Sequence, residues 1–310
     1  MTVQKRLLVT GREGQVVRSL LERATLHPDI EVLALGRPDF DLSTPGTLSA
    51  VIKEIRPDVV ISAAAYTAVD QAETEEELAR VINAHAAGVI AETAQVLRIP
   101  IIHLSTDYVF DGNKLSAYVE TDPVGPVSAY GRTKLAGEEA VSCATDNHVI
   151  LRTAWVHSPF GKNFIKTMLR LAESRDVVNV VADQYGTPTS ALDIADAVIA
   201  VACNLTANRD SALRGVFHLT NLGRASWADF AEEIFKVSAS LGGPFATVER
   251  IPANDYPTPA RRPANSQLDC TKLAVIHGVR LPDWAQSTKT VVGRVLQPLP
   301  ASILTGDTQS

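Results

Sequence analysis

Apolar residues fall along the chain in short unbroken runs, separated by longer stretches in which they recur every three or four positions. The runs RLLVT (6–10), EVLAL (31–35), DVVISAAA (58–65), IPIIHLS (99–105) and HVILRT (148–153) have the length and aliphatic content of buried strands. Between them, VVRSLLERA (16–24) and the stretch YGRTKLAGEEA (130–140) carry the spacing of amphipathic helices. Strand and helix alternate through this half. That alternation predicts an α/β fold, a doubly wound parallel sheet with helices on both faces, whose ligands sit beyond the carboxyl ends of the strands.

Past about residue 155 the alternation loosens. Helices are expected at FIKTMLRLA, SALDIADAVIAVA and SWADFAEEIFKV, and extended segments at DVVNVV and GVFHLT. The division this suggests is a nucleotide-binding domain over 1–153, to which segments within 177–220 thread back. A smaller, mainly C-terminal α/β substrate domain follows over 154–297, and a frayed tail over 298–310. The proline-rich stretches YPTPARRP and LPDW punctuate the end, and no internal repeat is visible.

Composition narrows the class. The 310 residues are 45% hydrophobic and 21% charged with a formal net charge of -6, ordinary for a globular enzyme and unsuited to general nucleic-acid or anionic-membrane binding. Any anion site must therefore be local. Cys143, Cys203 and Cys270 form no metal or redox spacing, and there is no HExxH pairing, so neither a disulfide framework nor a built-in zinc site is expected. The opening MTVQKRLLVTG lacks an apolar leader and no apolar run reaches membrane-spanning length, which suits a cytoplasmic protein.

Two stretches carry candidate chemistry. In TGREGQ, Gly11 and Gly14 lie between a strand and a helix, where a tight turn and free backbone N–H groups can receive a pyrophosphate. Gln15 and Val16 open that helix and join the cofactor-binding set, while Val17 stands where a third glycine is expected. A plain strand-to-helix turn is the alternative. In SAYGRTKLAGEEA, Tyr130 and Lys134 stand one helical turn apart, so an ammonium can lie beside a phenol and draw its pKa down. Tyr130 would then be a usable proton donor; a solvated helix with an ordinary tyrosine is the plainer reading.

A dinucleotide loop, STDYVF at the end of a buried strand, and a Tyr-x-x-x-Lys pair together resemble the extended short-chain dehydrogenases. Six segments in order narrow this: AAAYTAVDQAE (63–73), STDYVFDG (105–112), YGRTKLAGE (130–138), RTAWVH (152–157), DQYGTPT (183–189) and YPTPARRPANSQLD (256–269). With them the chain, from about residue 6 to about 285, is similar to the dTDP-4-dehydrorhamnose reductase family. The resemblance implies a Rossmann sheet, a homodimer in some members, and reduction of the C4 ketone of dTDP-4-dehydro-6-deoxy-L-mannose by NADPH, with NADH as the alternative. Thr106, Tyr130 and Lys134 match the catalytic set, Lys134 also holding the nicotinamide ribose.

Other residues follow from the same comparison. Arg37, at the end of the second strand, suits a 2'-phosphate, and Asp41 and Leu42 suit the adenine. Ala65, Tyr66 and Thr67 pass the cofactor after the third strand. Thr106 and Asp107 would contact the sugar, Trp155 would face its ring and methyl group, and Arg261 and Arg262 would hold the dTDP pyrophosphate. The alternatives are a strand-end hydroxyl for Thr106, a turn cap for Asp107, a core tryptophan, and a solvated basic pair. Some relatives dimerise through magnesium held by acidic residues on the first helix; Arg18 and Ser19 stand near those places, so magnesium is not expected here.

Related functions fit less well. Sugar-nucleotide dehydratases carry an acidic residue after the Thr-Asp pair, where this chain has Tyr108, and epimerase-reductases need an extra acid/base pair that is missing from the fourth strand motif. A nonenzymatic NADP-binding subunit, like the regulatory subunit of methionine adenosyltransferase, would not need the Thr106, Tyr130 and Lys134 set.

Overall fold

The structure, a computed structural model, describes residues 4–297. The expected tail over 298–310 lies outside the described residues. The five predicted runs form strands β1 (Lys5–Thr10), β2 (Ile30–Leu35), β3 (Val59–Ser62), β4 (Ile101–Thr106) and β5 (His148–Thr153). With Gly215–His218 they build one six-stranded sheet in the order Gly215–His218, β5, β4, β3, β1, β2, every pair parallel.

Both faces of that sheet are covered, and the pleat decides which residue goes where. Leu7, Val9, Val59, Ile61, Ile102 and Leu104 bury one face against the Gln15–Ala24 and Ala191–Ala207 helices. Leu8, Val60, Ile101 and Ile150, one residue out of step, bury the other against helices Leu48–Ile55, Ala86–Leu97 and Ala129–Ala144. Alternate side chains of a strand point to opposite faces, so strands buried on both sides read as continuous apolar runs. The Ala191–Ala207 helix packs on this sheet and Gly215–His218 joins it, although both lie late in sequence.

A second apolar cluster gathers helices Phe164–Ala172, Trp227–Ser240 and Trp284–Leu296 around the parallel pair Val177–Val181 and Thr247–Ile251. We propose that the two clusters mark the nucleotide and substrate domains. Contacts join them: the Gln15 amide donates to the Val156 carbonyl and accepts from Ser158 Oγ and Asn163 Nδ2, both at 2.9 Å, while Glu22 and Arg294 form a two-pronged ion pair.

The Ala129–Ala144 helix comes close to its neighbours for a local reason. Ser128 caps it, accepting from the Gly131 N–H, and Glu73 accepts from the Ala129 N–H. Further along, a Cβ placed on Gly137 would collide with the carbonyl oxygen of Asn83, which lies on the single π-helical turn Val81–His85. Gly137→Ala is expected to push the helix off that turn and lower stability by about 1–3 kcal/mol, the usual range for overpacking, read from a urea titration. An unchanged midpoint would contradict the close approach.

Candidate active site

At the carboxyl ends of the strands the glycine loop comes first. Gly11 follows β1 with φ +100°, a conformation that suits glycine, and a Cβ there would crowd Ala64 and Val17 at 3.3 Å. Gly14 caps the Gln15–Ala24 helix without a side-chain hydrogen bond, and the first turn carries no acidic residue, so the helix offers bare N–H groups to an anion. These features fit a dinucleotide pyrophosphate. Val17 is buried in the core beside Gly11, so the missing third glycine is filled by packed side chain.

The rest of the proposed cofactor wall is mixed. Arg37 is exposed beyond β2, and Arg12, which the sequence did not single out, lies beside it with its guanidinium on the Arg37 carbonyl and on Asp39 at 2.9 Å. Asp41 is taken up by Ser43, whose backbone N–H and hydroxyl hold the carboxyl below its usual pKa. Leu42 is buried in the core. Beyond β3, Ala65 and Tyr66 are half-buried and Thr67 is exposed; the Tyr66 backbone is gripped by the Asn83 amide and its hydroxyl donates to Glu75. Val16 is half-buried against the core, and Gln15 turns its amide toward the second cluster.

Tyr130, Lys134 and Thr106 meet at the end of β4. Lys134 is buried, its Nζ donating to the Leu104 carbonyl at 2.6 Å and lying 3.3 Å from His103 Nε2. Burial draws its pKa down to about 8, and Glu138, one turn further along, opposes that shift. Glu138 is itself held by a buried ion pair with Arg152 of β5 and by the Ser105 hydroxyl. Tyr130 packs edge-on to Tyr108, ring centres 5.7 Å apart. Burial pushes its phenol up to about 12; the Thr106 hydroxyl lowers the value and Asp107 raises it. The depression expected from Lys134 is therefore reversed in direction. Desolvation sets the direction, and the phenol stays in the protonated form that a donor requires.

Asp107 is buried, with Oδ1 accepting from Thr106 and Oδ2 without a partner; burial lifts its carboxyl to about 6 against opposing hydrogen bonds led by Ser266. Such an unpaired buried oxygen is a ready acceptor for a ligand hydroxyl. Arg262 pairs with Asp70 at 3.1 Å and bears on Tyr108, which places it beside the same site, whereas Arg261 is exposed on the surface. Trp155, half-buried at φ +46°, stacks on Trp227 with ring centres 3.6 Å apart. The structure thus gives it the packing contact that the sequence held open as an alternative.

Comparisons with known proteins carry the arrangement further. Residues 5–297 match the family model described as RmlD substrate binding domain. The dTDP-4-dehydrorhamnose reductase of Sinorhizobium fredii strain NGR234 is 51% identical over 291 residues, covering 94% of this chain and 98% of that one. The dTDP-4-dehydrorhamnose reductase of Escherichia coli K12 is 39% identical, covering 93% and 97%. The chain belongs to the dTDP-4-dehydrorhamnose reductase family. A crystal structure of a family member from Clostridium acetobutylicum superposes with a TM-score of 0.87 at 36% identity, covering 94% of this chain and all of that one. One from Bacillus anthracis, in complex with NADP, gives 0.85 at 32% identity, covering 93% and 99%.

Among the described residues no group of three or more His, Cys, Asp or Glu could hold a metal, and no helix is long and apolar enough to cross a membrane. On the first helix Glu22 and Arg23 are engaged by Arg294 and Asp196.

Burial of Lys134 has a thermodynamic signature. Between about pH 8 and pH 10.5 the unfolded chain keeps a lysine proton that the folded chain has shed, so this residue's contribution to stability rises with pH. The size of that rise is about 3 kcal/mol, from the size of the shift. Lys134→Met lacks it. The stability of wild type minus that of Lys134→Met should climb by up to this amount from neutral to alkaline pH in urea titrations, and a pH-independent difference would show that the ammonium is not buried.

Proposed function

We propose that the chain reduces the C4 ketone of dTDP-4-dehydro-6-deoxy-L-mannose to the C4 alcohol, giving dTDP-L-rhamnose, with Tyr130 as proton donor. The observation that carries this reading is the convergence of Tyr130, Thr106 and Lys134 at the end of β4, in a chain of the reductase family, beside a glycine loop fit for a dinucleotide. NADPH supplies the hydride when bound. Tyr130, held protonated, gives its proton to the ketone oxygen as charge develops there, and Thr106, its hydroxyl turned from Asp107, donates a hydrogen bond to the same oxygen. Lys134 holds the nicotinamide ribose and then offers a cation to the tyrosinate left behind.

Around that centre the remaining polar groups orient the sugar nucleotide. Asp107 accepts from a sugar hydroxyl through its free oxygen, Arg262 exchanges or shares Asp70 with the diphosphate, and Trp155 presents the exposed part of its ring to the deoxysugar. Arg261 adds positive charge at the rim. The glycine loop, Gly11 and Gly14 with Gln15 and Val16, takes the pyrophosphate. Arg37 takes the 2'-phosphate, a choice supported by its exposure and by the NADP held in the Bacillus anthracis relative. Asp41 and Leu42 bound the adenine through backbone, and Ala65, Tyr66 and Thr67 line the path to the nicotinamide. The free cysteines suit a cytoplasmic enzyme, with a homodimer allowed for and magnesium-linked dimerisation not expected.

The decisive assay follows NADPH oxidation with the dTDP-4-dehydro sugar. Tyr130→Phe should lose about 10²–10⁴-fold in turnover while binding NADPH nearly as wild type does, since general acid catalysis is worth that much; a fully active variant would dispose of the proton donor. Arg37→Ala should weaken NADPH binding and leave NADH little changed. Equal losses for the two cofactors would overturn the phosphate assignment.

A further inference from the structure

The strand that carries Thr106 also buries a histidine that the chemistry above does not use. His103 is 1% exposed, on the face of β4 turned toward the Ala129–Ala144 helix. Its Nε2 lies 3.3 Å from Lys134 Nζ, and its Nδ1 lies 3.1 Å from the hydroxyl of Ser62 on β3. An ammonium has hydrogens to give and no lone pair, so a contact with it requires a bare Nε2. The ring proton must then sit on Nδ1, where Ser62 accepts it. Burial and the neighbouring Lys134 both hold the imidazole neutral, its pKa well below the ordinary value.

Lys134 has three N–H donors and the structure uses two, one on the Leu104 carbonyl and one on His103. The Asn83 amide, close by on the π-helical turn, is engaged by Tyr66 and Thr133 rather than by the lysine. Gly137 leaves room for this arrangement, because a Cβ there would stand 3.5 Å from His103 Nε2 as well as against Asn83.

We propose that His103 is a positioning residue for the reduction: anchored on Ser62, it fixes two of the lysine's three hydrogens together with Leu104 and leaves the third directed at the nicotinamide ribose. The inference rests on the function proposed above, in which Lys134 holds that ribose. It also accounts for an imidazole in the middle of a fully buried strand, where an unpaired ring nitrogen would be costly.

The charged groups around the pair define what pH should do. Lys134 is faced by Glu138 on its own helix, which Arg152 of β5 already pairs, and His103 is faced by His148 of β5. A neutral acceptor favours the charged amine, so losing it lets Lys134 shed its proton at lower pH.

Three variants and one measurement on the wild type test this. His103→Leu should lower turnover about tenfold to a hundredfold, the effect of a misplaced catalytic group, and should move the alkaline limb of the kcat/KM profile to lower pH. His103→Gln, whose amide oxygen can accept from Lys134 in place of Nε2, should recover most of the turnover and the wild-type limb. Leu and Gln variants that behave alike would overturn the proposal, because a filler of space would not distinguish them. Nitrogen-15 NMR of the wild type, which does not depend on any variant folding, should show His103 protonated on Nδ1 alone; a proton on Nε2 overturns the proposal by itself. Tyr130→Phe in the same assay separates the two readings. If it is inactive while His103→Leu is fully active, only the role of His103 falls, and if it is fully active, the proposed reduction falls and this inference with it.

Discussion

Everything at the site hangs on the seam between the end of β4 and the Ala129–Ala144 helix, and above all on the hydrogen bond from Lys134 to the Leu104 carbonyl. That bond ties the helix carrying Tyr130, the proposed proton donor, to the strand carrying Thr106. The seam closes because Gly137 lets the helix lie against the Asn83 carbonyl and because Glu138 reaches into the sheet to meet Arg152 and Ser105. A buried lysine and a buried carboxylate would each be expensive alone. On one helical face, each with its own set of partners, they become the clasp that sets the spacing of Tyr130 from the sheet.

The strands were legible in the sequence because a doubly covered sheet demands apolar residues on both faces, and runs such as RLLVT and HVILRT have no other obvious home. The i, i+4 relation of Tyr130 and Lys134 was legible for the same kind of reason, since helical geometry is local. What escaped depends on contacts between distant parts of the chain. Asn83 sits on a π-helical turn, whose register is decided by packing against the next helix and leaves no mark in VINAH. Arg262 finds Asp70 across 192 positions, and Gln15 finds Asn163 across 148, with no pattern to announce either pair. His103 and Ser105 did leave a trace, as polar residues at alternate positions of an otherwise apolar strand, both on the face turned toward the helix.

The places where expectation and structure part share one cause, the removal of water. Tyr130 was expected to have its pKa lowered by a neighbouring cation; desolvation raises it instead. Leu42 was expected to frame an adenine, and its side chain lies in the core, leaving only its backbone to do so. Trp155, for which the sequence leaves a packing role as the alternative, stacks on Trp227, a partner 72 positions away that no spacing rule could supply. Val17 fills the place of a glycine because the core beneath the loop has room for it.

The same desolvation explains why the buried charges are arranged as they are. Arg152 grips Glu138 with three close N–H···O contacts, which fix the carboxylate in place while its charge still favours the ammonium one turn away. Lys134 lies near the edge at which burial would discharge it, and the acceptors around it, Leu104 and His103, are neutral groups that favour the charged form without cancelling it. A second carboxylate in their place would hold the proton more firmly but would screen the tyrosine from the cation once its proton has gone. Neutral acceptors on one side and a pre-paired carboxylate on the other let a buried lysine stay charged one helical turn beyond the phenol.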